Sequence, residues 1–229
     1  GISRDEWRTL VDDPSNPMTN RAIRGQYPPG STFKMVVALA ALESGKVSSE
    51  TSHQCSGSMQ LSPSYTYRCW KKEGHGAVDL HKAIRESCDV WFYRVGLEIG
   101  IDRIAQVSRR FGLGQSLGFP FGNERSGLIP DVAWKRRRFG TSWYDGETVI
   151  ASIGQGYVLA TPLQLAAMTA ALANGGTVWK PQVVQRIENL AGETVWSSTA
   201  EPLLQSSWDG ESLQAVRSAM RAVTRSPPL

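Results

Sequence analysis

The 229-residue chain is 41% hydrophobic and 20% charged, a balance that excludes disorder as a description of the whole and allows a buried core. Its formal charge of +4 and pI near 9.1 are mild, and its longest apolar run, Met35 to Leu42, is far too short to cross a bilayer. The one dense basic run, Lys135-Arg136-Arg137-Arg138, has no DNA- or RNA-binding motif beside it; it reads as a solvated turn or as a surface toward anionic lipid or a protein partner.

In chain order, the sequence predicts a mostly helical stretch from Ser31 to Gly175, followed by strands and one more helix. Pro29 and Gly30 break any preceding regular structure, so an apolar helix over residues 32–43 should start beside Ser31 and stop at Ser44-Gly45. A second helix starts near Asp79, with Leu80, Ala83 and Ile84 on one face, and ends near Ser87. Residues 90–99 are helical up to Gly100, and Asp102 is an N-cap for residues 103–111, which Gly112 closes. Residues 112–146 form an irregular excursion with a short helix near 131–136. Thr161 caps, and Pro162 opens, an apolar helix that Asn174-Gly175-Gly176 terminates. Residues 177–187 and 193–197 read as strands about a turn at Ala191-Gly192, and Leu213, Val216, Met220 and Val223 mark a last amphipathic helix.

Chemistry enters at Ser31-Thr32-Phe33-Lys34. Three residues apart on a helix, Ser31 and Lys34 share a face, and the serine lies in the positive field of the first turn. A serine needs a base to become a nucleophile, and an amine serves once burial or a neighbouring cation lowers its pKa. An isolated S-x-x-K is equally an exposed cap serine with a solvated lysine, so other segments must decide. They are Glu86-Ser87-Cys88-Asp89-Val90-Trp91-Phe92-Tyr93 and Gly154-Gln155-Gly156-Tyr157-Val158-Leu159-Ala160-Thr161-Pro162-Leu163-Gln164, with Gly25-Gln26-Tyr27-Pro28-Pro29-Gly30 ahead of Ser31. Tyr67 to Lys72, Gly74-His75-Gly76 and Arg125-Ser126-Gly127 add to the set.

In this order, over nearly the whole chain, the segments resemble the transpeptidase domain of class B penicillin-binding proteins of the elongation type. The resemblance implies an α/β (α+β) fold of the penicillin-binding and serine β-lactamase kind, here mostly its helical lobe. It implies a peptidoglycan D,D-transpeptidase in which Ser31 attacks the penultimate D-alanine of a stem peptide and Lys34 takes its proton. Ser87 would relay that proton and Asp89 would help place the substrate. β-Lactams would acylate Ser31. Implied partners are stem peptides, a SEDS-type glycosyltransferase and the elongation machinery, with an N-terminal membrane anchor holding the domain in the periplasm at the inner membrane. Two departures stand out. Asp89 occupies a position where most of the superfamily has asparagine, and no lysine is followed by Ser-Gly or Thr-Gly, so the third motif is missing. Residues 1–229, ending at Arg225-Ser226-Pro227-Pro228-Leu229, are therefore expected to be part of a transpeptidase domain, cut before that motif.

The three cysteines, Cys55, Cys69 and Cys88, fall in one window with His75. One reading is a Cys55–Cys69 disulfide with Cys88 free and buried. The other is a structural zinc site of three thiolates and one imidazole, toward which the resemblance points because some elongation-type relatives carry a metal in this region. His53 is a substitute ligand, and His81 reads as a helix-surface residue. Two other functions compete with the transpeptidase. One is a β-lactamase or β-lactam sensor, but no E-x-E-L-N segment appears, and Glu124 and Glu147 lie in contexts that do not suggest a water-activating acid. The other is a zinc-stabilised binding module without catalysis.

Overall fold

The apolar run after Ser31 has no polar face, and a helix apolar all round belongs inside a protein. The computed structural model describes residues 1–225 and places that run at the centre. The stretch 226–229 lies outside the described residues.

Helices α1 (Arg4–Asp12) and α2 (Arg21–Arg24) precede the loop Tyr27-Pro28-Pro29, and α1 buries none of its residues. Residues Gly30–Phe33 make one 3-10 turn before α3 (Lys34–Leu42) begins. The predicted start at Ser31 is thus a tighter turn, with Lys34 as the first α-helical residue. Val36 to Ala41 are wholly buried.

Four short strands follow where the sequence reading saw none: β1 (His53–Cys55), β2 (Ser58–Ser62), β3 (Tyr65–Arg68) and β4 (Gly76–Val78). β1 pairs with β4 and β2 with β3, each pair antiparallel. Then come α4 (Leu80–Arg85), capped by Asp79, and α5 (Asp89–Ile99), closed at Gly100 as expected. Gly100 takes φ 79° and carries the chain straight into α6 (Ile101–Arg110). Asp102 is therefore inside the helix and not its cap. Its carboxylate instead accepts from the Val132 N–H at 3.0 Å, tying α6 to α7 (Val132–Phe139). The basic run lies on α7 and not in a turn: Lys135 is buried, and Arg136, Arg137 and Arg138 are exposed.

A further helix, α8 (Asp145–Ala151), was not read from the sequence. The expected capping box does open α9 (Pro162–Asn174), with Thr161 and Gln164 exchanging bonds. The predicted strand 177–187 is broken: β5 (Thr177–Trp179) stops before Pro181, which has no N–H to donate. β5 pairs with β8 (Pro202–Gln205), while β6 (Arg186–Glu188) and β7 (Thr194–Ser197) form a separate hairpin. The last helix is α10 (Gly210–Val223). The result is a mixed helix and strand fold in which α3 packs against α5, α6 and α10, and α10 packs on α4.

The motif segment from Gly154 to Gln164 fixes the turn that bears Ser31. Tyr27 and Ala160 exchange two backbone hydrogen bonds of 2.9 Å, and the Gly30 N–H donates to the Gly154 carbonyl at 2.9 Å. The buried Gln164 amide donates to the carbonyls of Gln115 and Ser126, both at 2.7 Å, so the Arg125-Ser126-Gly127 loop is held by the same helix end. A side chain at Gly154 would sit 2.3 Å from the Gly30 carbonyl oxygen, on a residue with φ 69°. Gly154→Ala should therefore cost about 2 kcal/mol or more, measured as a lowered melting temperature, because neither the backbone contact nor the positive φ can relax cheaply.

Candidate active site

Lys34 is the only charged residue in α3 and is just 2% exposed. A buried ammonium must find acceptors for its N–H bonds, or its desolvation is uncompensated. All three are found on one short stretch of chain. Nζ donates to the Ser87 carbonyl at 2.9 Å, to Ser87 Oγ at 3.0 Å and to Asp89 Oδ1 at 2.6 Å. The Phe92 ring lies 5.4 Å below Nζ and closes the remaining side. Leaving such a charge without its carboxylate typically costs about 3–5 kcal/mol, so the Lys34–Asp89 pair also fastens α3 to α5.

Ser87 joins α4 to α5 and takes φ 53°, in the left-handed region that a serine rarely enters. This conformation turns both its carbonyl and its hydroxyl toward Lys34. Its hydroxyl reaches the exposed nucleophile candidate, with Ser87 Oγ donating to Ser31 Oγ at 3.0 Å. The structure therefore brings Ser31, Lys34, Ser87 and Asp89 together. It departs from the sequence reading in one respect. Lys34 meets Ser31 through Ser87 and not directly, because the three Nζ bonds end on Ser87 and Asp89 while Ser87 Oγ makes the bond to Ser31.

Asp89, expected at the substrate, has both oxygens engaged by the protein. Oδ1 holds Lys34, and Oδ2 accepts from the backbone N–H of Trp70 at 3.0 Å. The Trp70 indole N–H is shared between the carbonyls of Glu86 at 3.0 Å and Ser87 at 3.1 Å. Sequence reasoning missed Trp70 as a site residue. Its signals were its place directly after Cys69 and within the family-like segment Tyr67 to Lys72.

Cys88, between Ser87 and Asp89, points the other way. It is buried with Cys55, Cys69 and His75, and the four ligand atoms all lie within 4.8 Å of one another. His75 Nδ1 is 3.5 Å from the sulfurs of both Cys55 and Cys69. The three cysteines are free thiols, so the Cys55–Cys69 disulfide is not formed. β1 and β4 bring Cys55 beside His75, whose N–H donates to the Cys55 carbonyl at 3.0 Å, and this crossing tolerates only glycine at position 74. A hydrogen bond from the Cys88 thiol pulls Cys69 down to about 5, against its burial, and the same bond pushes Cys88 up. One thiolate is thus favoured even among the protein atoms alone, and the four donors could hold a metal ion. His53 lies outside this set; its ring packs near Trp91. His81 is exposed on α4, as expected.

Comparisons with known proteins place the chain in a family. Residues 3–227 match the family model of the penicillin binding protein transpeptidase domain. The chain is 39% identical over 203 residues to the peptidoglycan D,D-transpeptidase MrdA of Escherichia coli K12, an alignment covering 88% of this chain and 32% of that protein. It thus spans about a third of the length of that curated relative. Among solved structures, it superposes on Pseudomonas aeruginosa PBP2 in complex with WCK 5153 with a TM-score of 0.85 at 39% identity, covering 98% of this chain and 48% of the other. A complex between Helicobacter pylori PBP2 and MreC gives 0.82 at 37% identity, covering 97% and 40%. A matched domain model over almost every residue, with a relative this similar, shows the family: the chain belongs to the penicillin-binding protein transpeptidase domains.

Proposed function

We propose that this chain is the acylating part of a serine D,D-transpeptidase that cross-links peptidoglycan stem peptides in cell-wall elongation. The observation that carries the reading is the Ser87 hydroxyl, 3.0 Å from both Lys34 Nζ and Ser31 Oγ. In its amine form Lys34 accepts the Ser87 proton, Ser87 accepts that of Ser31, and Ser31 Oγ attacks the carbonyl of the penultimate D-alanine. The same hydroxyl then returns a proton to the departing D-alanine amine, and the amine of a second stem peptide resolves the ester. The Ser31 backbone N–H supplies one oxyanion donor. The other belongs to the Lys-Ser/Thr-Gly strand of the family, which residues 1–229 do not contain; we place it in a further part of the same domain. Asp89 holds Lys34 in line. β-Lactams, which resemble D-alanyl-D-alanine, acylate Ser31.

The β-lactamase alternative needs a free carboxylate near the acyl group. Glu147 pairs with Lys135 and accepts from the Tyr144 N–H, and Glu124 accepts from Ser116 and the N–H groups of residues 117–119. Both acids are committed to structure, which favours transpeptidation. Partners proposed by analogy are MreC, after the Helicobacter pylori complex, and a SEDS-type glycosyltransferase. No described helix is long and apolar enough to cross a membrane. We place the domain in the periplasm, held at the inner membrane by an N-terminal anchor.

We further propose that Cys55, Cys69, His75 and Cys88 bind structural zinc. Tetrahedral bonds of about 2.3 Å to sulfur and 2.0–2.1 Å to nitrogen set sulfur–nitrogen edges of about 3.6 Å. The separations of His75 Nδ1 from the Cys55 and Cys69 sulfurs are both 3.5 Å. Four protein ligands leave no position for water, so the ion's task is to fix the Cys88 backbone.

In the full-length protein, fluorescent penicillin should label Ser31, and Ser31→Ala should abolish the label while the fold persists; a labelled Ala variant would refute the assignment. Lys34→Ala and Ser87→Ala should each slow acylation by about 10²–10⁴, read by stopped-flow labelling. For the metal, elemental analysis should find one zinc per chain. Chelation or Cys88→Ser should lower Tm by about 3 °C or more and slow labelling together. Denatured, metal-free protein should titrate as three thiols, whereas one thiol would establish a disulfide.

A further inference from the structure

The Ser87 turn is a strained element at the centre of the proposed proton path, and the two helices it joins do not by themselves hold it. Its φ of 53° lies in the left-handed region, which a serine rarely enters. The N–H groups of Ser87 and Cys88 bond back to the Ile84 and Ala83 carbonyls. The carbonyls of Glu86 and Ser87 face the other way, toward Trp70.

We propose that Trp70 is a positioning residue for acylation, whose indole N–H clamps the Glu86–Ser87 carbonyls so that Ser87 Oγ stays between Lys34 and Ser31. The proposal rests on the transpeptidase reading of the same site. Three distances carry it: indole to Glu86 O 3.0 Å, indole to Ser87 O 3.1 Å, and backbone N–H to Asp89 Oδ2 3.0 Å. One residue thereby holds both ends of the Ser87-Cys88-Asp89 tripeptide. Lys34 is the other donor to the Ser87 carbonyl, but it gives up an N–H each time it acts as an amine. Trp70 undergoes no such change, so its bond persists through every protonation state of the relay.

The clamp is anchored from outside α4 and α5. Cys69, the preceding residue, donates its N–H to the Gly57 carbonyl at 2.8 Å. The Trp70 ring meets His75 edge-on at 5.4 Å. The sulfur cluster and the proton path are thus linked covalently a second time, through Cys69 and Trp70, besides the link through Cys88. The ring is also 53% exposed, so its loss opens no cavity in the core. A side chain so placed contributes more to the geometry of Ser87 than to global stability.

The test is single-turnover acylation of the full-length protein by benzylpenicillin, resolved into the acylation rate constant and the constant for prior binding. Two changes at position 70 are compared: Trp70→Phe, and replacement by 3-benzothienylalanine, which keeps the bicyclic shape and has no N–H. Both should lower the rate constant by about 10-fold or more and leave prior binding within about twofold, since only placement of the reacting groups is lost. Replacement by 5-fluorotryptophan, which keeps the N–H, should restore the native rate constant. The proposal is overturned if the benzothienylalanine protein acylates at the native rate constant, or if its defect lies in prior binding alone. A native protein that is not acylated at all overturns the transpeptidase reading and this proposal with it. A native protein acylated at Ser31 beside an unaffected benzothienylalanine protein overturns this proposal only.

Discussion

A single buried ammonium organises this molecule. Lys34 sits at the first position of a helix whose next turns are wholly apolar, so water cannot solvate its charge and the protein must. Its three N–H bonds end on Ser87 and Asp89, more than fifty positions along the chain. That requirement dictates that the α4–α5 junction lies against the start of α3, and that the junction bends sharply enough to aim a carbonyl and a hydroxyl the same way. The positive φ of Ser87 is the consequence. Asp89 can answer the charge because it opens α5, where the helix field also favours a carboxylate.

Around that core, two independent supports converge on Ser31 and Ser87. On one side, the Tyr27–Ala160 and Gly30–Gly154 backbone bonds press the Ser31 turn into place, and Gln164 ties the neighbouring loop to the same helix. On the other, the tripeptide Ser87-Cys88-Asp89 is held on both faces. Ser87 and Asp89 look toward Lys34, while Cys88 enters the buried sulfur and imidazole cluster. Placement of the hydroxyl is thus coupled to the state of the thiols through one peptide unit. The placement of Ser31 and Ser87 and the cohesion of the β1–β4 region are two sides of one junction.

Much of this was legible in the sequence because it rests on local signals. The break at Pro29-Gly30 before an apolar run, the Thr161-Pro162 helix start and the stop at Gly175 are encoded within a few residues, and all three lie where expected. The convergence of Cys55, Cys69, His75 and Cys88 was also anticipated, though from family likeness and not from spacing. What stayed hidden depends on distant partners. β1 to β4 are three to five residues long and glycine-crossed, too short for a period of two to show. Asp102 carries a good capping side chain, but Gly100 lets α6 start earlier and frees it for Val132. Trp70 gave no sign of its bonds to Glu86 and Ser87, because an indole beside a cysteine has no pattern of its own.

The central claim is that Lys34 and Ser31 communicate through Ser87, and a double-mutant cycle on the acylation rate constant tests it most directly. Lys34→Ala, Ser87→Ala and the double variant are compared in the full-length protein, with circular dichroism to establish that each is folded. If the two groups form one path, the second substitution has little left to remove, and the double variant should be within about threefold of the slower single variant. Multiplication of the two single effects would show that Lys34 and Ser87 act separately, and would contradict the relay.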